Sequence, residues 1–240
     1  MDFTRFLACN TRLIWACLFV SACLLLAISH GFFQSYLFMR PCEQCVYIRF
    51  AMFCIVFGAL LGSLFSRSRA AHLFAFMMCF YGIALGIQSA LTLQHIHAMV
   101  FEGNPFIAAS GCKKIPVFPF DLPLHVWFPQ WFLPTGECGL DAPMVGRETL
   151  DSLSAIQKFF IEQYKNGWWL VPQLQWINMA TFCLFYFILC IVILCYLLLC
   201  FARTKVVFIL SVAAIFFVVF LLLFLGVVLC GAAWVGYCER

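Results

Sequence analysis

The chain has 240 residues, of which 65% are apolar or aromatic and only 10% charged, and its mean hydropathy is +1.03. Soluble domains run at roughly 45–50% apolar and about 25% charged residues, so an ordinary soluble globule is excluded, and there is too much apolar surface for a disordered chain. A net charge of +4, from 14 basic and 10 acidic residues scattered along the chain, does not suggest nucleic acid.

Five apolar stretches follow in order. The first covers residues 13–28 and is carried to about 33 by Ser29 to Phe33. The others are 46–65, 73–93, 176–201 and 206–235. A membrane helix needs roughly 20 predominantly apolar residues, so the composition is that of an all-α polytopic membrane protein with one membrane domain over 1–240. The first stretch has no small-x-small cleavage site before Pro41 and is followed by further spans, so it reads as a retained helix. The fourth and fifth are long and need tilt or interfacial ends. Only Ala202 to Lys205 separate these two. No charge occurs over 206–229, which favours a fifth span over a helix lying against the bundle or in the interface.

Basic residues set the orientation. Arg5 and Arg12 precede the first span, Arg67 and Arg69 lie between the second and third, and Arg203 and Lys205 between the fourth and fifth. If every stretch crosses, all three groups share one side, and the N-terminus is cytoplasmic. The outer loops are then about 31–45 and about 94–175. Pro105, Pro116, Pro119, Pro123, Pro129 and Pro134 forbid a long helix in the first half of the long loop. Trp127, Phe128, Trp131 and Phe132 are its aromatic anchors. In the second half, Asp151 or Ser152 is placed to cap a helix through about Tyr164, with Leu153, Ile156, Phe160 and Tyr164 at helical spacing. Trp168, Trp169 and Trp176 follow. Tryptophan favours the membrane interface, so this helix is expected along the membrane surface, with a structural role only.

Of 15 cysteines, Cys17, Cys23, Cys54, Cys79, Cys183, Cys190, Cys195, Cys200 and Cys230 lie within apolar stretches, where cysteine packs as a small hydrophobe. Cys9 falls on the cytoplasmic side, and Cys238 is uninformative. Cys42, Cys45, Cys112 and Cys138 remain, all outside. They allow two structural disulfides, a zinc site or a redox relay. Cys42 and Cys45 have the two-residue spacing of thiol–disulfide catalysts and of zinc knuckles. Cys112 and Cys138 have 25 residues between them, which is no second knuckle, and a proline-rich loop is a poor scaffold for a closed zinc shell. The relay is favoured.

Position strengthens that reading. Cys45 stands at the N-terminus of the second span, where free N–H groups and the helix dipole favour an anion. Arg49 is one turn further on the same face. Both favour a thiolate at Cys45. An arginine inside a span is a functional-site candidate; the alternative is snorkelling to headgroups. Glu43 opposes a nearby anion and is expected to face water. A thiolate at the membrane boundary suits an electron acceptor dissolved in the membrane, and a quinone has carbonyls for an arginine to bind. His95 and His97, at the outer end of the third span, are further candidates, although interfacial histidines are commonly just solvated.

PCEQCVYIR (Pro41 to Arg49), Leu-Gln-His at 93–95 and FPFDLPLHVWFPQWFLPTGEC (Phe118 to Cys138) resemble the DsbB family of disulfide-generating membrane proteins. The Glu-Gln dipeptide, CGLDAP at Cys138–Pro143 and the long loop beyond are most similar to its DsbI branch. The resemblance covers roughly 13–201. It implies a four-helix transmembrane bundle in the bacterial inner membrane. The periplasmic loop would carry the short interfacial helix, and the fifth C-terminal apolar helix has no counterpart. It implies a protein-disulfide oxidoreductase that reoxidises a periplasmic DsbA-like or DsbL-like thiol oxidase and passes electrons to ubiquinone or menaquinone. Residue by residue, it implies redox pairs Cys42–Cys45 and Cys112–Cys138. Cys112 would form the mixed disulfide with the partner, and Cys138 would then attack Cys42. Cys45 would face the quinone ring, Arg49 would contact the quinone head, and His95 would lie at its edge. No metal is implied. The longer chain between Cys138 and Trp168 departs from plain DsbB proteins. A DsbA-type partner sits near about −120 mV, so its oxidation needs a stronger acceptor than an ordinary disulfide. The competing readings are a reductase of the vitamin K epoxide reductase type, whose CxxC follows its loop, and a non-enzymatic protein with structural or zinc-binding cysteines. A transporter is disfavoured, because the spans carry few polar residues besides Arg49 and Gln88.

Overall fold

The structure, a computed structural model, describes residues 11–65, 68–101, 114–137 and 142–201, together with Ile209, Val212, Ala213, Phe216, Phe217 and Phe220. Helix α1 covers Thr11–Ala27 and continues as a π-helix over Ile28–Tyr36. Helices α2 (Glu43–Leu64) and α3 (Arg69–Phe101) follow. The outer region holds a 3₁₀ turn (Pro119–Asp121), one-turn helices α4 (Leu124–Trp127) and α5 (Pro129–Phe132), then α6 (Arg147–Ser152) and α7 (Ala155–Gln163). An antiparallel hairpin of β1 (Trp169–Val171) and β2 (Trp176–Asn178) leads into α8 (Met179–Phe201).

α1 with its π-helical end, α2, α3 and α8 are each long and apolar enough to cross a membrane. The shortest, α2, has 22 residues, about 33 Å at 1.5 Å per residue, against a hydrocarbon core of roughly 30 Å. The four pack as a bundle in which α2 is the most deeply buried. Lipid offers no hydrophobic drive between such helices, so close approach at small residues does the packing. A Cβ on Gly82 of α3 would lie 2.6 Å from the Ala51 carbonyl oxygen of α2. Trp15 of α1 packs on Phe76 of α3 at 5.1 Å between ring centres. The Ser21 and Tyr186 hydroxyls meet at 3.3 Å, tying α1 to α8.

Several boundaries differ from the hydropathy reading. α3 runs to Phe101, because Ile96 and His97 are buried against the protein while Gln94 and His95 are exposed and dilute the apolar signal. The last long helix starts at Met179. Residues 176–178 are strand, and the Asn178 side chain accepts the Thr181 N–H at 2.8 Å, an N-cap that fixes the start. The loop helix expected from Asp151 or Ser152 is two helices. α6 ends at Ser152, and Ser154 caps α7 by accepting the Gln157 N–H at 3.3 Å. As the prolines dictate, the described residues of the first half hold only one-turn helices. Phe118 and Phe132 pack on Val46 as a small second core that docks this half on α2, and Trp127 and Phe128 remain exposed. The described positions between 209 and 220 are helical. The rest of the 206–235 stretch, with the crossing expected there, lies outside the described residues.

Candidate redox site

Pro41 cannot donate a backbone hydrogen bond, and the chain enters α2 immediately after it. Cys42 is the N-cap of α2, in extended conformation, and its Sγ accepts the Cys45 N–H at 3.3 Å. A sulfur thus fills the place usually taken by a serine or aspartate oxygen, where the helix favours negative charge. Cys45 is three residues on, and the two Sγ atoms stand 2.6 Å apart. Both residues are buried, at 0% and 4% exposure.

Arg49 is buried, at 5% exposure, so its guanidinium does not snorkel to the headgroups. Its Nε donates to Ser29 Oγ at 3.2 Å and its Nη1 to Gln34 Oε1 at 2.6 Å. Both acceptors are neutral and both lie on the π-helical end of α1. The wider turn of that segment sets two polar side chains on this buried cation. Arg49 also interacts electrostatically with both cysteine sulfurs. A buried cation thus stands beside two sulfurs at a helix N-terminus.

Gln34 reaches outward as well. Its Nε2 donates to the Gln130 carbonyl of α5 at 3.1 Å, and His30 Nδ1 lies 3.2 Å from its Oε1. His30 in turn stacks on Trp131 at 4.0 Å. Glu43, expected to face water, is instead buried and accepts from the Tyr47 hydroxyl at 3.2 Å. Tyr47 Oη also accepts the Val117 N–H at 3.0 Å, so this carboxylate helps dock the loop.

Beside the cysteine pair is a largely apolar cavity of about 260 Å³. Cys45, Arg49, Ser29 and Gln34 line it, together with Cys183 of α8 and Trp168 of the outer region. His95 is exposed on α3 and does not line it; nor does His97, which is buried. Cys112 and Cys138 lie outside the described residues, but both flanks of Cys138 are described. The Thr135 and Gly136 N–H groups both donate to the Pro41 carbonyl at 3.0 Å. On the far flank, Met144 N–H donates to Phe38 O at 3.2 Å, and Pro143 bridges Met39. A Cβ on Gly136 would stand 2.5 Å from the Arg40 carbonyl oxygen, so only glycine permits this approach.

Comparison with known proteins gives the family. The family model for Disulfide bond formation protein DsbB matches residues 11–197. The chain belongs to the DsbB family. A Campylobacter jejuni relative described as "Putative protein-disulfide oxidoreductase DsbI" is 46% identical over 191 residues, covering 76% of this chain and 72% of the relative. Proteins named "Protein-disulfide oxidoreductase DsbI" from Escherichia coli and Salmonella typhimurium are 43% and 40% identical over 185 residues. Those alignments cover 75% of this chain in both cases, and 82% and 81% of the relatives. No solved structure matches. This DsbB-family chain is therefore a multi-pass membrane protein-disulfide oxidoreductase.

Ser29, Gln34, Cys183 and Trp168 were not singled out from sequence as site residues. Ser29 and Gln34 carry one weak signal: they are polar residues one and six positions past the end of the first apolar stretch at 28. Cys183 and Trp168 carried none, since a cysteine within an apolar helix and an interfacial tryptophan have ordinary structural explanations.

Proposed function

We propose that the chain reoxidises a periplasmic DsbA-like or DsbL-like thiol oxidase and passes the two electrons to a membrane quinone, ubiquinone or menaquinone. The bundle would sit in the bacterial inner membrane with the N-terminus cytoplasmic and the redox loops periplasmic. The observation that carries this reading is the shared cavity: Cys45 and Arg49 line one apolar pocket next to the cysteine pair.

In this scheme the reduced partner attacks the Cys112–Cys138 disulfide at Cys112. The partner's second thiolate resolves the mixed disulfide, which leaves the partner oxidised and Cys112 and Cys138 as thiols. Cys138 then attacks Cys42, and Cys112 resolves that bond, which restores the loop disulfide and leaves Cys42 and Cys45 reduced. Each exchange conserves electrons: a disulfide passes outward toward the partner and an electron pair passes inward toward Cys42 and Cys45. Cys42 is fully buried, and exchange demands access. Loose thiols are thereby excluded, and the segment already bonded to Pro41, which ends two positions before Cys138, has the advantage.

The cavity residues fit a quinone head: apolar walls, a guanidinium to donate to a carbonyl oxygen, and a sulfur facing the same space. When bound, a quinone supplies an acceptor for two electrons and two protons. Arg49 would orient the head beside Cys45, and the apolar walls would exclude water. His95, exposed and off the cavity wall, has no support from this geometry as a contact.

The test is quinone reduction by purified protein in detergent, with reduced DsbA-like or DsbL-like partner as donor. Wild type is expected to turn over, and Cys45→Ser and Cys112→Ser to fail. Wild-type inactivity with every partner and quinone, or unaltered activity in Cys45→Ser, overturns the reading.

A further inference from the structure

The outer segment from α7 to β1 has a structural explanation in the sequence and no assigned chemistry. In the fold it closes the redox cavity. Phe160 packs edge-on against Phe32 at 5.5 Å, and Tyr164 does the same against Phe33 at 5.6 Å. Gln157 Nε2 donates to the Tyr36 carbonyl at 2.6 Å. These contacts seat α7 on the π-helical segment that also carries Ser29 and Gln34. The chain then turns at Gly167 and delivers Trp168, which packs on Phe33 at 5.5 Å and on Phe182 of α8 at 5.8 Å. Trp168 thus bridges the first and last long helices on the side where the cavity reaches the outer region. Tyr164, Trp168 and Leu170 all line the cavity that holds Cys45 and Arg49. The opposite face of α7 is turned away: Ile156 and Phe159 are 66% and 57% exposed.

We propose that the α7–β1 segment is a wall of the acceptor site, and that Trp168 is its specificity-determining residue, limiting the width of the ring system that reaches Cys45. This rests on the quinone reading above and deepens it. Arg49 and Cys45 sit on the rigid α2 helix and supply the chemistry. The indole fills the space between α1 and α8, and a ring in the cavity must fit beside it. Removing the indole widens the cavity without touching the cysteine pair or the hydrogen bonds of Arg49. A narrow monocyclic ring then loses packing, while a wider bicyclic ring gains room. Tyr164 belongs to the same wall. Burial raises its phenol above the ordinary tyrosine range, so it stays a neutral donor across the physiological range.

The experiment is steady-state quinone reduction by the full-length protein in detergent, with reduced partner as donor. A short-chain ubiquinone and a short-chain menaquinone are compared in wild type, Trp168→Ala, Leu170→Ala and Phe159→Ala. Trp168→Ala is expected to raise KM for the ubiquinone and to shift the kcat/KM ratio toward the bicyclic menaquinone on the order of tenfold, with kcat near wild type. Leu170→Ala, the milder change that guards against a fold defect, is expected to shift the ratio the same way by about threefold. Phe159→Ala, on the outer face of α7, is expected to leave the ratio unchanged. A lower kcat with both quinones and an unchanged ratio in the Trp168 and Leu170 variants overturns the inference while leaving the relay standing. So does an equal shift in Phe159→Ala. A wild type that reduces neither quinone overturns the relay and this inference together.

Discussion

At the scale of single residues, the site turns on how a buried cation is held inside a membrane protein. Burying a guanidinium is costly unless its donors are satisfied. Arg49 has its Nε and Nη1 satisfied by Ser29 and Gln34, neutral groups that fix its direction without cancelling its charge. That leaves the charge available to the two sulfurs. Gln34 also donates to Gln130 O, so one side chain positions the arginine and ties it to the outer loop. Gln34→Leu removes both bonds. A hydrogen bond to a charged group is worth about 1.5–3 kcal/mol, so kcat/KM for quinone should fall by roughly tenfold or more, with Cys42 and Cys45 still able to form their disulfide. Gln34→Glu separates the roles: it keeps an oxygen for Arg49, loses the donor to Gln130 and adds a charge that neutralises the guanidinium. If the free positive charge matters, Gln34→Glu should be as slow as Gln34→Leu; wild-type rates in both variants would show that Gln34 is not a positioning residue. The cysteine pair and Arg49 were legible in the sequence because they lie within about two turns at the start of one helix. Ser29 and Gln34 were not, since their role depends on a contact across 20 and 15 positions. That contact in turn depends on a π-helical winding that no hydrophobic period announces.

At the scale of elements, the segment from Phe38 to Pro41 is the joint of the molecule. It connects the π-helix to α2, receives Thr135 and Gly136 from one flank of Cys138, and pairs with Pro143 and Met144 from the other. A loop that long, joined to its target on both sides of the reactive residue, has already lost much of the entropy of closing. Gly136→Ala places a methyl carbon 2.5 Å from a backbone oxygen, where no flexible side chain can yield, so the flank must shift. The expected result is partner-driven turnover slowed by about tenfold, the rate effect of losing one to two kcal/mol of positioning. Oxidation of prereduced Cys42 and Cys45 by quinone alone should stay at the wild-type rate, because nothing in α2 changes. If both reactions slow equally, Gly136 supports the fold and not the delivery of Cys138. The four long helices were readable because hydropathy over 20 residues survives local exceptions. The β-hairpin was not: six strand residues divided by a turn at Pro172 to Gln175 give too short a pattern, and Trp176 to Asn178 merge with the apolar run of α8. The break between α6 and α7 was missed because Asp151, Ser152 and Ser154 are all competent caps, and only the extended Leu153 decides among them.

At the scale of the whole molecule, the arrangement makes sense only with a defined sidedness. The cysteine pair, the cavity, the docked proline-rich loop and the α7–hairpin wall all lie toward one end of the bundle. The turn between α2 and α3, with Arg69 and exposed Ala70, lies at the other. Disulfides persist only on an oxidising side, and lysine and arginine in short loops hold the opposite side in the cytoplasm. Under the proposed function the two arguments, one from redox chemistry and one from insertion energetics, predict the same sidedness. Cysteines introduced at two exposed positions test them together. In intact cells, a membrane-impermeant maleimide should modify Asn166→Cys, read by peptide mapping at that position, and should modify Ala70→Cys only after the inner membrane is permeabilised. Labelling of Ala70→Cys in intact cells would put the basic turn outside. The cavity end would then face the reducing cytoplasm, where a relay that generates disulfides could not hold its loop pair oxidised.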